Sequence, residues 1–476
     1  MADWIDDTPK YRKIPIPEFS GNPLLEALVP PPRDDDEAIK RLIQKPLFSP
    51  EERDLPSSWR RFLPIRLLRF FFPLGHHVEI MKQLYIQFFN GFLERNPFKP
   101  QGQRILHDAR NLQFSPDPII DTTDHRPATV SVLAGLSGTG KSVLMRAIMG
   151  SMGKPVIKHK KYRGKNLAET QILYLMRNVP ERYTAKMFCK KYGEYADALL
   201  QENLYTKMFQ QGSAKDEYVS ALKNIVTNHH VGALVIDEIQ RLSLAGPGGK
   251  KEVIGTIINL SDELNLPIVL VGTYGAADLL RSDASLAQRL TEGGFYELNR
   301  FPSASDEAWR TLCEVSWDYQ WIKNPVPFSD EIVETLYDCS QGIIRIMLLV
   351  FAFAQQKAID TGKEEVDPKM LKNVYKTQFK PLHGIINALC SKNEKWIRQY
   401  ENLSDEAFVE LKKNPEINRT IAIQEQVSKL IDAAMGVLDE NRNVTMENKG
   451  EVLKEVVKLL KNGKLNFSDG QDPFAD

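Results

Sequence analysis

Chemistry is concentrated in one octapeptide, Gly135-Leu136-Ser137-Gly138-Thr139-Gly140-Lys141-Ser142. Its glycines let the backbone curl until several N–H groups converge on phosphate oxygens, and the N-terminus of a following helix adds positive potential there. Lys141 is placed to bridge the β- and γ-phosphates of a nucleotide, and the Ser142 hydroxyl to ligate Mg²⁺. The flanks suit that role. Residues 130–134 read as a buried strand and 143–149 as a helix, and the expected nucleotide contacts are Gly135 and residues Ser137 to Val143. A plain glycine turn would not need those flanks.

Downstream, the apolar run 233–236 ends in Asp237-Glu238. A carboxylate at the C-terminal tip of a buried parallel strand can hold a Mg²⁺ shell, and its neighbour can polarise an attacking water. Asp237 is assigned to the metal and Glu238 to the general base. A third apolar run, 267–271, leads to Gly272-Thr273, and a polar residue at that tip can orient the water. Two arginines are candidates for stabilising charge on a transferring phosphoryl group. Arg289 ends the α/β region and could reach a neighbouring copy, while Arg345 opens a long helix. The cofactors expected are ATP and Mg²⁺.

Residues 106–300 show the elements that such a site requires, short apolar β-rich runs alternating with helical stretches. That alternation predicts an α/β fold, a parallel sheet flanked by helices. Segments 128–134, 171–176, 233–236 and 267–271 are the clearest strands. Residues 301–390 read as helices only, a lid that includes a long helix near 342–359. Residues 1–57 join Pro30-Pro31-Pro32 to Asp34-Asp35-Asp36 and read as an extended partner-docking segment with little core of its own. Residues 58–105 read as a small helical region, patterned most clearly at 78–92. There Trp59-Arg60-Arg61-Phe62 through Phe70-Phe71-Phe72 read as core ahead of partner surface. Residues 391–476 read as a helical C-terminal extension with a flexible tail.

Composition narrows the partners. With 62 Lys+Arg against 62 Asp+Glu there is no global attraction to nucleic acid, so any such binding needs a local patch. A 42% hydrophobic, 26% charged chain is neither collagen-like nor wholly disordered. Cys189, Cys313, Cys339 and Cys390 form no CxxC pair, which argues against a thiolate metal site and for a reducing compartment. Arg66 and Arg69 interrupt the most apolar early stretch, which falls short of the roughly 20 residues a membrane helix needs. A soluble, cytoplasmic protein with no membrane partner is expected. The local patch is at Lys154, Lys158, His159, Lys160, Lys161, Arg163 and Lys165, centred on Tyr162 and Gly164. With strands expected at 155–160 and 168–176, it reads as a basic hairpin projecting from the core. Such a hairpin can neutralise DNA phosphates without reading bases, and the plain alternative is a solvated charged turn.

The order of phosphate loop, Asp-Glu strand, polar strand tip, arginine and helical lid resembles the AAA+ ATPases. Closer likeness lies in Asn22-Pro23-Leu24-Leu25-Glu26-Ala27-Leu28 and in Leu234-Val235-Ile236-Asp237-Glu238-Ile239-Gln240-Arg241-Leu242-Ser243. Ser340-Gln341-Gly342 before an apolar helix, and Val374-Tyr375 leading to Lys380-Pro381-Leu382-His383, extend it. Over roughly residues 20–390 these segments look like the TnsC family, ATP-dependent regulators of Tns-type cut-and-paste transposons, including CRISPR-associated ones. The resemblance implies a bacterial cytoplasmic ATPase whose ATP-bound copies form a ring or helical filament around duplex DNA. It further implies that this assembly links a TnsD- or TniQ-type target selector to the transposase subunits TnsA and TnsB, with hydrolysis controlling assembly. Lys141, Ser142, Asp237, Glu238 and Thr273 keep the roles given above. The stretch 278–295 matches loosely, so Arg281 stands beside Arg289 as the trans-acting arginine. His76-His77 falls where AAA+ proteins often contact adenine, and the tail 466–476 either engages TnsA, as the resemblance implies, or is an end with no role. The other readings are a nucleotide-gated DNA scaffold with little turnover and a regulatory or loader NTPase unrelated to transposition.

Overall fold

The computed structural model describes residues 3–110, 128–180, 184–211, 215–244, 247–275 and 284–391. Arg281 and the C-terminal extension with its tail lie outside the described residues.

Five parallel strands form the central sheet, in the order β5 (Leu175–Asn178), β6 (Leu234–Asp237), β7 (Ile268–Gly272), β2 (Val130–Gly135) and β8 (Phe295–Leu298). Every residue of β2, β6 and β7 is buried, because both faces of the sheet are covered and neither needs polar side chains. Alternate residues serve the two faces. Leu133, Val235 and Val269 pack with helices Gly75–Gly91 and Lys141–Met152. Val132, Leu234 and Ile268 pack with helices Ala185–Leu200, Lys215–Asn228 and Pro247–Leu264. The register sets Ala134 opposite Gly272 and Ile236 opposite Leu270. The ends of β2, β6 and β7 therefore emerge at one edge of the sheet, the carboxyl edge where ligands of open α/β sheets bind.

The run 171–176 is two strands rather than one. A strand of a second sheet, β4 (Lys165–Ile172), ends where the chain crosses to β5, and an unbroken apolar run carries no mark of that crossing.

The N-terminal segment also differs from an extended form. Asn22 and Asp34 cap helices Pro23–Glu26 and Asp35–Leu42, accepting hydrogen bonds from the N–H groups of Leu24 and Glu37. Leu24, Leu25, Leu28, Ala38 and Leu42 are buried in one cluster with Leu144 and Ile148 of the phosphate-loop helix. The segment thus docks on its own chain. Residues 58–105 divide between two cores. Leu63, Leu67 and Phe70 join Trp309, Trp317 and Phe351 of the helical region, whereas helix Gly75–Gly91 lies against the sheet. Buried Arg60 secures the first part, its Nη1 donating to Glu364 at 2.9 Å.

After β8 the chain is helical, with Glu307–Trp317, Asp330–Ser340, Ile344–Asp360, Pro368–Gln378 and His383–Ser391 around one apolar cluster. Among the described residues no single helix is long and apolar enough to cross a membrane.

Candidate functional site

The phosphate loop is shaped by glycine and pressed by the lid. Gly138 has φ of 86°, and a Cβ there would lie 2.9 Å from Ile343 Cγ2 and 3.3 Å from Arg345 Cβ. Only glycine accepts both that backbone and that approach. The Arg345 N–H donates to the Gly138 carbonyl at 3.1 Å, so the first turn of helix Ile344–Asp360 rests directly on the loop.

The sheet register brings the polar strand tips together beside this loop. Lys141 is buried, its Nζ donating to the Gly135 and Leu136 carbonyls at 2.8 and 2.7 Å. Thr139 Oγ1 donates to the Leu136 carbonyl at 2.9 Å, bracing the curl. Ser142 Oγ donates to Asp237 Oδ2 at 2.5 Å, and Asp237 Oδ1 accepts the Glu238 N–H at 2.9 Å. Glu238 has φ of 59°, in the left-handed region that few residues other than glycine adopt, so the chain turns sharply as β6 ends. Gln240 Nε2 donates to Glu238 Oε2 at 2.5 Å, and Gln240 Oε1 accepts the Thr273 N–H at 3.0 Å. Thr273 Oγ1 is buried with no hydrogen-bond partner among the described residues.

These groups border a cavity of about 360 Å³. Ser137, Gly138, Gly140, Lys141, Ser142 and Val143 line it from the loop, Asp237, Glu238 and Thr273 from the strand tips, and Arg345 from the lid. A second cavity of about 390 Å³ adjoins it, with Ile344 lining both. His76, His77, Thr139, Asn299 and Arg300 border the second. Burial lowers the pKa of His76, and it pushes His77 down to about 3, so His77 is neutral at ordinary pH. Its Nδ1 accepts the Leu74 N–H at 3.0 Å.

The donor set fits a metal-bound nucleoside triphosphate. A hydroxyl and a carboxylate in contact at the base of the loop are the hard oxygen ligands Mg²⁺ prefers. The orphaned Thr273 hydroxyl is the second sign, since an unsatisfied buried polar group costs about 1–3 kcal/mol and is relieved by a ligand oxygen or water.

The arginines separate. Arg345 borders the cavity, but Arg289 ion-pairs with Asp262 of helix Pro247–Leu264 and is not among the described residues lining it. The structure does not bring Arg289 to the phosphate loop of its own copy.

The basic hairpin is strapped rather than projecting. Its strands β3 (Val156–Tyr162) and β4 are antiparallel, and positive φ at Arg163 and Gly164 makes the tight two-residue turn. A short N-terminal strand, β1 (Ile5–Asp6), pairs in parallel with β3. Tyr162 Oη and Arg163 Nη2 both donate to the carboxylate of buried Glu26, at 2.8 and 2.7 Å. Lys154 Nζ donates to the Ile5 carbonyl at 3.3 Å, and Lys160 lies 4.0 Å from Asp7. His159 and Tyr162 turn inward, and this buried face binds the strap. Lys154, Lys160, Lys161, Arg163 and Lys165 are exposed and Lys158 is half-buried, but with Lys154 and Arg163 turned to partners fewer cations are left for a ligand than the sequence suggests.

Sequence reasoning passed over Gln240, Arg146, Leu68 and Phe72, all of which border the cavity. Gln240 sits within the segment 234–243 and Arg146 in the helix after the phosphate loop, but neither carries a spacing signal of its own. The phenylalanine run expected in a core is there: Phe70 is buried with the lid helices, Phe71 is buried in the cluster that backs the sheet, and Phe72 packs against the lid cluster, while all three also border the cavity.

Residues 124–280 match the AAA domain family. The parallel sheet, phosphate loop and helices that follow it form an AAA+ fold, that of P-loop NTPases. Comparison with curated proteins gives no match. Among solved structures, Aeropyrum pernix Orc1 in complex with DNA is 15% identical, covering 76% of this chain and 84% of that one at a TM-score of 0.40. Cdc6p from Pyrobaculum aerophilum is 17% identical, with coverage of 63% and 66% and a TM-score of 0.39. A Thermotoga maritima RuvB mutant is 14% identical, with coverage of 65% and 92% and a TM-score of 0.31. Likeness at this level carries no function across.

Proposed function

We propose that this chain is an ATP-hydrolysing regulator of DNA transposition of the TnsC type, assembling on target duplex DNA under nucleotide control. The observation that supports ATP chemistry best is the chain of contacts joining Ser142, Asp237, Glu238, Gln240 and Thr273 beside a phosphate loop gripped by the lid. Ser142 and Asp237 would hold Mg²⁺, which supplies charge neutralisation on the phosphates when bound. Loop N–H groups and Lys141 bind phosphate oxygens. Glu238 takes a proton from the attacking water, Thr273 Oγ1 orients that water, and Arg345 stabilises the charge developing on the phosphoryl oxygens. The adjoining cavity, bordered by neutral His77, suits an uncharged base.

Contact between Arg345 and the loop makes lid position sensitive to what the loop holds, so ATP and ADP would present different surfaces to a neighbouring copy. Arg289 or Arg281 would reach that neighbour's phosphate. The exposed lysines of the hairpin would meet the DNA backbone, and many copies on one duplex multiply modest contacts through avidity. The segments resembling TnsC carry the remainder: a TnsD- or TniQ-type selector on one side, TnsA and TnsB on the other, in a bacterial cytoplasm.

The test measures phosphate release, DNA residence time and insertion with TnsA, TnsB and selector present, for the parent and for Glu238→Gln. The proposal expects release to be lost and assemblies to outlive those of the parent. Parental release by Glu238→Gln overturns the hydrolytic reading, and insertion that proceeds equally without this protein overturns the regulatory one.

A further inference from the structure

We propose that Gln240 is a positioning residue of the hydrolytic site, coupling the orientation of the Glu238 carboxylate to the tip of β7; this rests on the role given to Glu238 above. The side-chain amide uses both ends. Its oxygen accepts the Thr273 N–H at 3.0 Å, and its nitrogen donates to Glu238 Oε2 at 2.5 Å. Chemistry fixes which end faces which. A backbone N–H can only donate, so the amide oxygen must face Thr273, and the NH₂ group is then turned to the carboxylate, which can only accept.

The backbone supports the same bridge. Strands β6 and β7 are paired neighbours, so their tips lie one strand spacing apart, and Gln240 spans that gap just beyond the end of β6. The left-handed turn at Glu238 lets the chain double back so that a residue two positions on can reach its carboxylate. Arg241 Nε, 3.9 Å from the same Oε2, is too far to replace the amide's hydrogen bond. Gln240 does not itself carry a proton or a charge. It holds the base at a set angle, so a shift of Thr273, whose buried hydroxyl has no hydrogen-bond partner among the described residues, would move the base with it. A base displaced by about 1 Å loses on the order of 10²-fold in rate while the triphosphate binds as before.

Gln240→Glu tests the bridge closely. It keeps the length and the acceptor facing Thr273, but it replaces the donor with a carboxylate that repels Glu238. The expected result is a kcat lower by about 10- to 100-fold with ATP Kd within about two-fold of the parent, which also shows that the variant is folded. Gln240→Ala, removing both contacts, gives a comparable loss and keeps the test open should the glutamate variant not fold. The decisive comparison is made in a Glu238→Gln background by single-turnover hydrolysis of radiolabelled ATP. A residue that acts through Glu238 adds less than about two-fold there, because its partner is already disabled. Parental kcat in both Gln240 variants, or the full loss repeated in the Glu238→Gln background, overturns the inference. Glu238→Gln hydrolysing at the parental rate overturns the assignment of the base instead.

Discussion

Replacing Lys160, Lys161 and Arg163 together by Ala should weaken DNA binding by an amount that the structure lets one work out. Arg163 is already neutralised by Glu26, a carboxylate only 3% exposed, and Lys154 is turned to a backbone carbonyl. That leaves Lys158, Lys160, Lys161 and Lys165 to meet phosphates. With about 0.9 of log–log salt slope per neutralised phosphate, four contacts give a slope of about −3.6 per bound copy, and the variant, keeping two, about −1.8. By the same relation the two lost contacts lower affinity about 60-fold at about 0.1 M salt, with no contribution from Arg163. The assay is fluorescence anisotropy with labelled duplexes of unrelated sequence, titrated between about 50 and 200 mM salt. ATP affinity serves as the control for folding. An unchanged slope refutes the placement of the hairpin on the backbone, and a loss confined to one sequence refutes the claim that these lysines do not read bases.

Glu26→Gln weakens the clamp on Arg163 and frees a fifth cation, so the salt slope should steepen by about 0.9; an unaltered slope shows that the strap does not restrain the hairpin. Arg345→Ala should slow phosphate release by about 10²-fold with an unchanged melting temperature, since the side chain borders the cavity and is exposed; parental release removes it from the site. Burial depresses His77 to about 3 and His159 and His229 to about 4. Above the unfolded value of 6.5 these rings are neutral in both states. As pH falls toward 4 the unfolded chain takes protons that the fold resists, so each ring withdraws about 1.4 kcal/mol of stability per pH unit. Guanidinium melts should therefore show a lower midpoint at about pH 5.5 than at pH 7, and equal midpoints contradict the burial of these rings.

How much could be found from sequence depended on whether a signal was local. Gly135–Ser142, Asp237-Glu238 and Thr273 are each a polar break at the end of an apolar run, and parallel strands carry such breaks to one edge of the sheet. The lid announced itself by the loss of strand patterning after 300. Gln240 did not, because its importance lies in a hydrogen bond to a residue 33 positions away. The strap was hidden for the same reason. Prolines and aspartates at 30–36 look unfavourable to packing, but Leu24, Leu25 and Leu28 find their partners on a helix more than a hundred residues downstream. The aromatic stretch before His76 split between two cores because apolar content shows that a residue is buried without showing against what.

The central claim is that nucleotide held at the phosphate loop makes copies of this chain assemble on duplex DNA. Electron microscopy of the protein with duplex under ATP, a non-hydrolysable analogue and ADP, repeated with Lys141→Ala, tests it most directly. The account predicts ordered assemblies on DNA for the parent with ATP or the analogue, and none with ADP or with the variant. Lys141→Ala coating DNA as the parent does would contradict it.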